Sequence, residues 1–221
     1  MTKNIAPNGC AFVIEPMVLP EMDQNGYLVY DPDTRDAIVI DPSLSANVID
    51  RRIQELNLNT HIILDTHGHI DHILAQEQLR ALTKAQIWIN EDDALYLCDP
   101  TLNASAMFDI PFEGHEPDHL FKGGDSITAG TLAFEVIQVS GHTPGSSLFV
   151  NRQNKVVFTG DHVFAGSIGR TDLNGSTPRT MDQSLRIFMQ LPPDFAVYPG
   201  HGPATTVARE LRINPFLVNL K

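Results

Sequence analysis

Four short apolar runs of this sequence each end in a turn that carries a histidine or an aspartate. HIILDT (61–66) runs into HGHIDH, FEVIQVSG (134–141) into His142, KVVFTG (155–160) into Asp161, and FAVYPG (195–200) into His201. Runs of this length, bounded by turn residues, read as buried strands. A side chain just beyond a strand is held by a rigid sheet, and a glycine in the turn lets the backbone bend tightly. The fold therefore has to bring four strand ends together. The densest stretch, THGHIDH (66–72), places three histidines and an aspartate in seven positions. Imidazoles crowded this way repel one another once protonated, so a compensating ligand is expected.

The set comprises His67, His69, Asp71, His72, His142, Asp161 and His201. Five imidazoles and two carboxylates suit two divalent ions that share one carboxylate and leave coordination open for water. A lone turn histidine is ordinarily just a hydrogen-bonded polar residue. The repetition at four strand ends is what points to metal. His61, His115, His119 and His162 fall outside the pattern.

Around these runs the chain alternates short strands with amphipathic helices. GYLVY (26–30) and AIVID (37–41) read as a hairpin across the turn-rich DPDTRD. SANVIDRRIQEL, ILAQEQLRAL, EDDALYL, TPRTMDQSLRIFMQL and TTVARELRI read as helices, with apolar residues at helical spacing. QIWI and SLFV read as strands, and 99–121 as a long loop of the kind that is often functional. Strands with helices in both halves of the chain predict two sheets covered by helices. The 221 residues, 42% of them hydrophobic, are enough for one large domain spanning 1–221.

A formal net charge of -12 argues against nucleic-acid or anionic-membrane binding, which need clustered Lys and Arg. No run approaches the ~18 apolar residues of a membrane span. MTKNIAPNGC lacks the apolar stretch of a signal peptide. Cys10 and Cys98 are the only cysteines, so no disulfide framework is implied. A cytoplasmic protein is expected. Nothing in the sequence sets its oligomeric state.

THGHIDH, GHTPG, FTGD and PGHG together resemble the metallo-β-lactamase superfamily, over roughly 25–213. QNGYLVYD…AIVIDPS, GSIGRTD and RELRINPFL resemble its short glyoxalase II-like hydrolases. The resemblance implies a four-layer αββα sandwich of two mixed β-sheets, with the metals at one edge between the sheets. It implies one ion on His67, His69 and His142, a second on Asp71, His72 and His201, and Asp161 as the bridge. Zinc is the first expectation, and the same donors accept iron or manganese. His201, and a carboxylate rather than a cysteine at 161, resemble the glyoxalase branch more than the true β-lactamases.

Two ions sharing a water lower its pKa toward about 7. The metal-bound water is then the expected nucleophile, with Asp71 a candidate proton acceptor. G-x-S-x-G is absent and neither cysteine lies in a motif, so no covalent nucleophile is visible. A small-molecule thioester such as S-lactoylglutathione, or a related ester, is the expected substrate. Arg170 and Asp172 are candidates to bind an anionic substrate group, or to pair with each other. Asp65 and Thr66 are candidates to orient the histidines.

Three positions depart from the family pattern: Ser43 where glycine is common, Ser146 in place of a histidine, and His162 after the bridging aspartate. The longer glyoxalases add a helical domain that helps grip glutathione. This sequence stops soon after NPFL, so weak binding of the thiol portion is expected. Two rival enzymes share the fold. A persulfide dioxygenase would use a single iron on His67, His142 and Asp161, but GSIGRTDL here differs from the GCGRTDF-like stretch of those enzymes. A lactonase or other ester hydrolase would use the same two-ion site. A decayed, non-enzymatic scaffold is disfavoured by the complete donor set.

Overall fold

The computed structural model describes residues 12–220, so Cys10 lies outside the described residues. Six strands, β1 (Val13–Leu19), β2 (Gln24–Tyr30), β3 (Asp36–Ile40), β4 (Asn59–Leu64), β5 (Gln86–Asn90) and β6 (His119–Phe121), lie side by side in chain order. The β1–β2 and β2–β3 pairs are antiparallel, and β3 through β6 are parallel. A second sheet is built from β7 (Ser126–Ala129), β8 (Leu132–Gln138), β9 (Ser147–Asn151) and β10 (Val156–Gly160). β11 (Val163–Phe164) and β12 (Ser167–Ile168) form a separate small ribbon. The second sheet is completed by β13 (Ala196–Pro199) and β14 (Thr205–Thr206), in the order β14-β13-β10-β9-β8-β7.

Both sheets are mixed, and the side-chain alternation of their strands makes the layers. In β3, Ile38 and Ile40 face the other sheet while Ala37 and Val39 face outward, and all are buried. In β10, Val156 and Phe158 point inward and Val157 outward. A strand apolar on both sides needs cover on both faces. On the first sheet that cover is α1 (Ala46–Glu55) and α3 (Gln76–Thr83), through Ile49, Ile53 and Leu79. On the second it is α4 (Pro178–Phe188), α5 (Val207–Ile213) and α6 (Pro215–Val218), through Leu185, Phe188, Val207 and Leu217. The result is the expected αββα sandwich. No helix among the described residues is long and apolar enough to cross a membrane.

The topology decides where the strand ends fall. β10 and β13 are parallel, and β8 is two antiparallel steps from β10, so β8, β10 and β13 all run the same way. Their C-terminal ends share one edge. The two sheets are joined there by backbone bonds: Ser147 N donates to the Thr66 carbonyl at 2.9 Å, and Asn25 N to the Gly200 carbonyl at 2.7 Å. The end of β4 is thereby drawn to the ends of β10 and β13.

Local structure departs from the sequence reading at several places. The helix expected from Ile73 is two pieces, α2 (Ile70–Ile73) and α3. Ala75 N bonds the Pro42 carbonyl rather than its helical partner, because the Asp71 carbonyl is taken by the Ser43 hydroxyl. EDDALYL winds as a 3-10 helix, capped by the Asn90 side chain, which accepts from Asp92 N at 3.0 Å. β1 contains Pro16, a residue that argues against a strand except at a sheet edge, and β1 is an edge. The 99–121 loop ends in β6, a short edge strand with His119 and Leu120 exposed.

Gly160 closes β10 at a register shift, with a positive φ of 46°. A Cβ there would collide with the Thr66 side chain. Gly160→Ala is therefore expected to lower stability by at least ~1 kcal/mol, read from the urea midpoint at unchanged m-value. An unchanged midpoint would show that this turn tolerates a side chain.

Candidate metal centre

The edge between the sheets collects all seven side chains. His67, His69, Asp71 and His72 follow β4, with His69 preceding the short helix α2. His142 follows β8, Asp161 follows β10, and His201 follows β13. His67, His69, His72 and His142 are buried, and Asp71, Asp161 and His201 partly so. Their donor atoms form three overlapping sets, each within 4.8 Å: His67, His69 and His142; His67, His72 and Asp161; Asp71, His72 and His201.

In the first set, His142 Nε2 lies 2.8 Å from His69 Nδ1 and 3.2 Å from His67 Nε2. In the last, His201 Nε2 lies 3.1 Å from Asp71 Oδ2. Asp161 stands between them. Its Oδ1 is 3.2 Å from His72 Nε2, and its Oδ2 is 3.5 Å from both His142 Nε2 and His201 Nε2.

Hydrogen bonds on the far side of each ring fix which nitrogen faces inward. His72 Nδ1 donates to Asp41 Oδ2 at 2.9 Å, His142 Nδ1 to the Arg170 carbonyl at 2.8 Å, and His201 Nδ1 to the Asp23 carbonyl at 3.1 Å. His67 Nδ1 donates to Thr66 Oγ1 at 3.1 Å, because that hydroxyl spends its own hydrogen on Asp41 Oδ2. The Nε2 of each of these four rings then faces the shared centre. Such second contacts are how proteins orient metal-binding imidazoles.

The same geometry tests the fit to a cation. His72 Nε2 and Asp161 Oδ1, both facing the centre, are buried polar atoms without a hydrogen-bond partner, an arrangement that is costly unless something else satisfies the site. Burial, reinforced by His72 and its neighbours, pushes His67 well below the usual imidazole pKa, and burial with His142 pushes His69 down to about 3. Those rings are neutral, as ligands must be. Burial also disfavours charge on His72, but Asp161, Asp41 and Asp71 outweigh it and raise its pKa. Burial would raise Asp71 and Asp161, yet His72 with other nearby histidines holds both below the ordinary carboxylate value. His67, His69 and His142 therefore offer neutral nitrogens, while His72 and His201, raised by the nearby carboxylates, would exchange a proton for a cation. Imidazoles beside ionised carboxylates match the preference of zinc, iron or manganese.

Asp65 does not orient a histidine. Fully buried, it makes no hydrogen bond to a described histidine. The Gln76 amide, turned to donate, lies 2.8 and 2.7 Å from its two oxygens. Burial, with Asp41 nearby, pushes its pKa well above the ordinary value. The orienting carboxylate is Asp41, which the sequence reading passed over. Asp41 accepts from Thr66 N and Thr66 Oγ1, both at 2.7 Å, as well as from His72. It is held at a φ of +49°, a conformation that aspartate tolerates better than most residues. Its position at the end of β3, beside a metal-type strand end, was the available signal.

Asp93 was missed too. It accepts from Gly68 N, Gly145 N and Thr143 Oγ1 at 3.0, 2.7 and 2.6 Å, tying the loop after β4 to the loop after β8. Burial pushes its pKa up to about 6, against those three donors. Ser146 braces the second loop by accepting from Thr143 N at 3.0 Å. His162 is buried beside Phe188 and belongs to none of the donor sets. Arg170 and Asp172 pair with each other, Nε–Oδ1 at 2.6 Å and Nη2–Oδ2 at 2.8 Å.

Because Asp41 holds His72 and, through Thr66, His67, Asp41→Ala is expected to weaken metal binding about 10–100-fold. Competition with a chelator of known affinity measures this. Asp65→Asn, which touches no described histidine, is expected to change affinity far less. Equal losses in the two variants would contradict the assignment.

The chain resembles known proteins over most of its length. Residues 19–201 match the metallo-beta-lactamase superfamily. The hydroxyacylglutathione hydrolase GloC of Haemophilus influenzae is 36% identical over 92% of this chain and 97% of its own. Among solved structures, the BLEG-1 B3 metallo-beta-lactamase superposes with a TM-score of 0.88 at 33% identity, covering 93% of this chain and 99% of its own. TTHA1623 in a di-iron-bound form gives 0.81 at 32%, covering 92% and 100%. ETHE1 from Myxococcus xanthus gives 0.76 at 30%, covering 92% and 83%. With the match spanning most of the sequence and the same sandwich recurring in these structures, the chain belongs to the metallo-beta-lactamase superfamily.

Proposed function

We propose that the chain, a single domain, hydrolyses a small-molecule acyl-thioester at a two-ion centre. His67, His69 and His142 would hold one ion, Asp71, His72 and His201 the other, and Asp161 would bridge them. One observation carries this reading. The cleft of about 140 Å³ above the donor set is lined by His69, Asp71, His142, Asp161 and His201, and no Ser, Thr, Cys or Lys is among its lining residues. The site offers metal donors and no covalent nucleophile.

Divalent ions held there supply a polarising charge for the thioester carbonyl and a water of lowered pKa. The overall change is acyl-thioester plus water to carboxylic acid plus thiol: a C–O bond forms and the C–S bond breaks. The sulfur leaves without strong protonation, since a thiol is an acid of pKa near ~8.5. Asp71 is the proton acceptor of this reading. It lines the cleft, and His72 and His201 keep it ionised despite burial. The Arg170 carbonyl and Asp41 keep His142 and His72 in the tautomer that binds metal.

The GloC relative supports the thioester, and the di-iron neighbour supports two ions. The second reading is a persulfide dioxygenase with one iron on His67, His142 and Asp161, three donors that the fold brings close together. His142 Nε2 is within 3.2 Å of His67 and 3.5 Å of Asp161.

Metal analysis of anaerobically purified protein, alongside thiol release from S-lactoylglutathione, tests the proposal. Two ions per chain and thiol release are expected, with KM toward the upper end of the usual ~1 μM–1 mM range. Oxygen uptake with glutathione persulfide and no thiol release would overturn it. Asp161→Ala is expected to deplete both ions and to cost more activity than His72→Ala; equal, mild losses would refute a bridge. Chelation is expected to lower Tm, because the facing donors are then uncompensated.

A further inference from the structure

Beside the metal cleft lies a larger one of about 400 Å³, a size typical of small-molecule sites. Ala104 and Leu173 line both, so the two adjoin. The walls of the larger cleft are Leu102, Ala104, Ala106, Met107 and Leu173, with Thr101, Asp172 and Asn174 completing the lining. At the junction, Phe108 lines the metal cleft. Met107 and Phe108 are 65% and 50% exposed. Two large apolar side chains held open next to a reactive centre are a feature that binding explains and packing does not.

Asp172 and Asn174 of the polar lining already have partners. Both Asp172 oxygens are taken by Arg170. The Asn174 carbonyl accepts from the Tyr96 hydroxyl at 3.1 Å, and its amide donates to the Thr101 carbonyl at 3.3 Å. Arg170 is the only Lys or Arg among the residues lining either cleft, and its charge is neutralised by Asp172. A glutathione thioester carries two carboxylates and an ammonium group. Neither cleft has an unpaired cation to meet the carboxylates, and the chain as a whole is acidic.

The walls are also braced. Ile70 N donates to the Asn103 carbonyl at 2.9 Å, and Asn103 Nδ2 to the Tyr96 carbonyl at 2.9 Å. These bonds fix the 101–108 loop to the start of α2, within the metal-binding turn. Ala104, at the junction, is held at a φ of +67°, a strained conformation for alanine that the surrounding bonds must maintain.

We infer that this second cleft is a specificity site for an uncharged, apolar arm of the substrate, and that the enzyme prefers thioesters bearing such an arm to glutathione thioesters of the same acyl group. The inference deepens the thioester reading and rests on it for the reaction, though not for the binding.

Binding and turnover test the two separately. Calorimetry on the zinc-loaded protein uses non-hydrolysable thioethers of N-acetylcysteamine, from methyl to hexyl. Affinity is expected to rise about two- to fourfold per methylene over the first few carbons. Met107→Ser and Leu173→Asn are expected to flatten that slope. Turnover is compared for two uncharged thioester series, one lengthened on the acyl side and one on the thiol side, and for S-lactoylglutathione against the lactoyl thioester of N-acetylcysteamine. A rise of kcat/KM with length in either series, through KM and lost in Met107→Ser, supports the cleft. Asp172→Asn, which frees Arg170, is expected to lower KM for S-lactoylglutathione several-fold.

Thioether affinities independent of chain length, or a glutathione thioester preferred over its uncharged counterpart, would overturn the inference while leaving hydrolysis intact. Length-dependent binding that Met107→Ser weakens, with no thiol released from any substrate, would leave the cleft standing and remove the hydrolase reading.

Discussion

The structure is organised around a repulsion. Four imidazole Nε2 atoms, His69 Nδ1 and the oxygens of Asp71 and Asp161 converge at one edge of the sandwich. In a buried setting such donors do not tolerate one another without a cation between them. Most of the surrounding detail resists their drift. Each outer ring nitrogen of His67, His72, His142 and His201 is tied to an oxygen. The loops bearing the rings are tied to the ends of strands that are buried on both faces.

Two carboxylates that cannot reach the metal positions do much of this tying. Asp41 ends β3 and grips the neighbouring strand end through Thr66 and His72. Asp93 sits in the 3-10 helix after β5 and gathers three donors from two loops of different sheets. Both are buried. A buried carboxylate is stable only when fully hydrogen-bonded, so each fixes its partners as firmly as they fix it. The donor geometry is therefore set by the tertiary fold, and the ion-facing atoms are its exposed end.

The substrate side is governed by a different economy of charge. Arg170, which the sequence offered as an anchor for an anion, spends its guanidinium on Asp172, two residues away, and lends only its carbonyl to His142. The larger cleft is walled mostly by apolar residues, with Thr101, Asp172 and Asn174 as its polar ones. The loops at 101–108 and 170–174 line the larger cleft, so a change of charge pairing there would alter its surface without touching the sandwich.

Much of the sandwich and the donor set could be read from local pattern. Strands buried on both faces are continuous apolar runs, and residues just past their ends carried the histidines and aspartates. Those signals sit within a few consecutive residues. The misses were contacts between distant segments. Asp41 and Asp93 look like ordinary acids until β3 is paired with β4 and the second sheet brings the loop after β8 against the loop after β4. Asp65 looked well placed beside His67, but β4 ends at Leu64 and the Asp65 carboxylate meets the Gln76 amide of α3 instead. The helix around His72 is interrupted where the Ser43 hydroxyl, 28 residues before Asp71, bonds the Asp71 carbonyl and Ala75 N turns to Pro42. β1 was hidden by a proline that only an edge position permits. Periodicity and composition determined which residues are strands and which are donors, because burial and turn geometry act over a few neighbours. Which carboxylates orient the donors, and which charges remain free to meet a substrate, was decided only in the tertiary structure, because those partners are chosen by proximity in space.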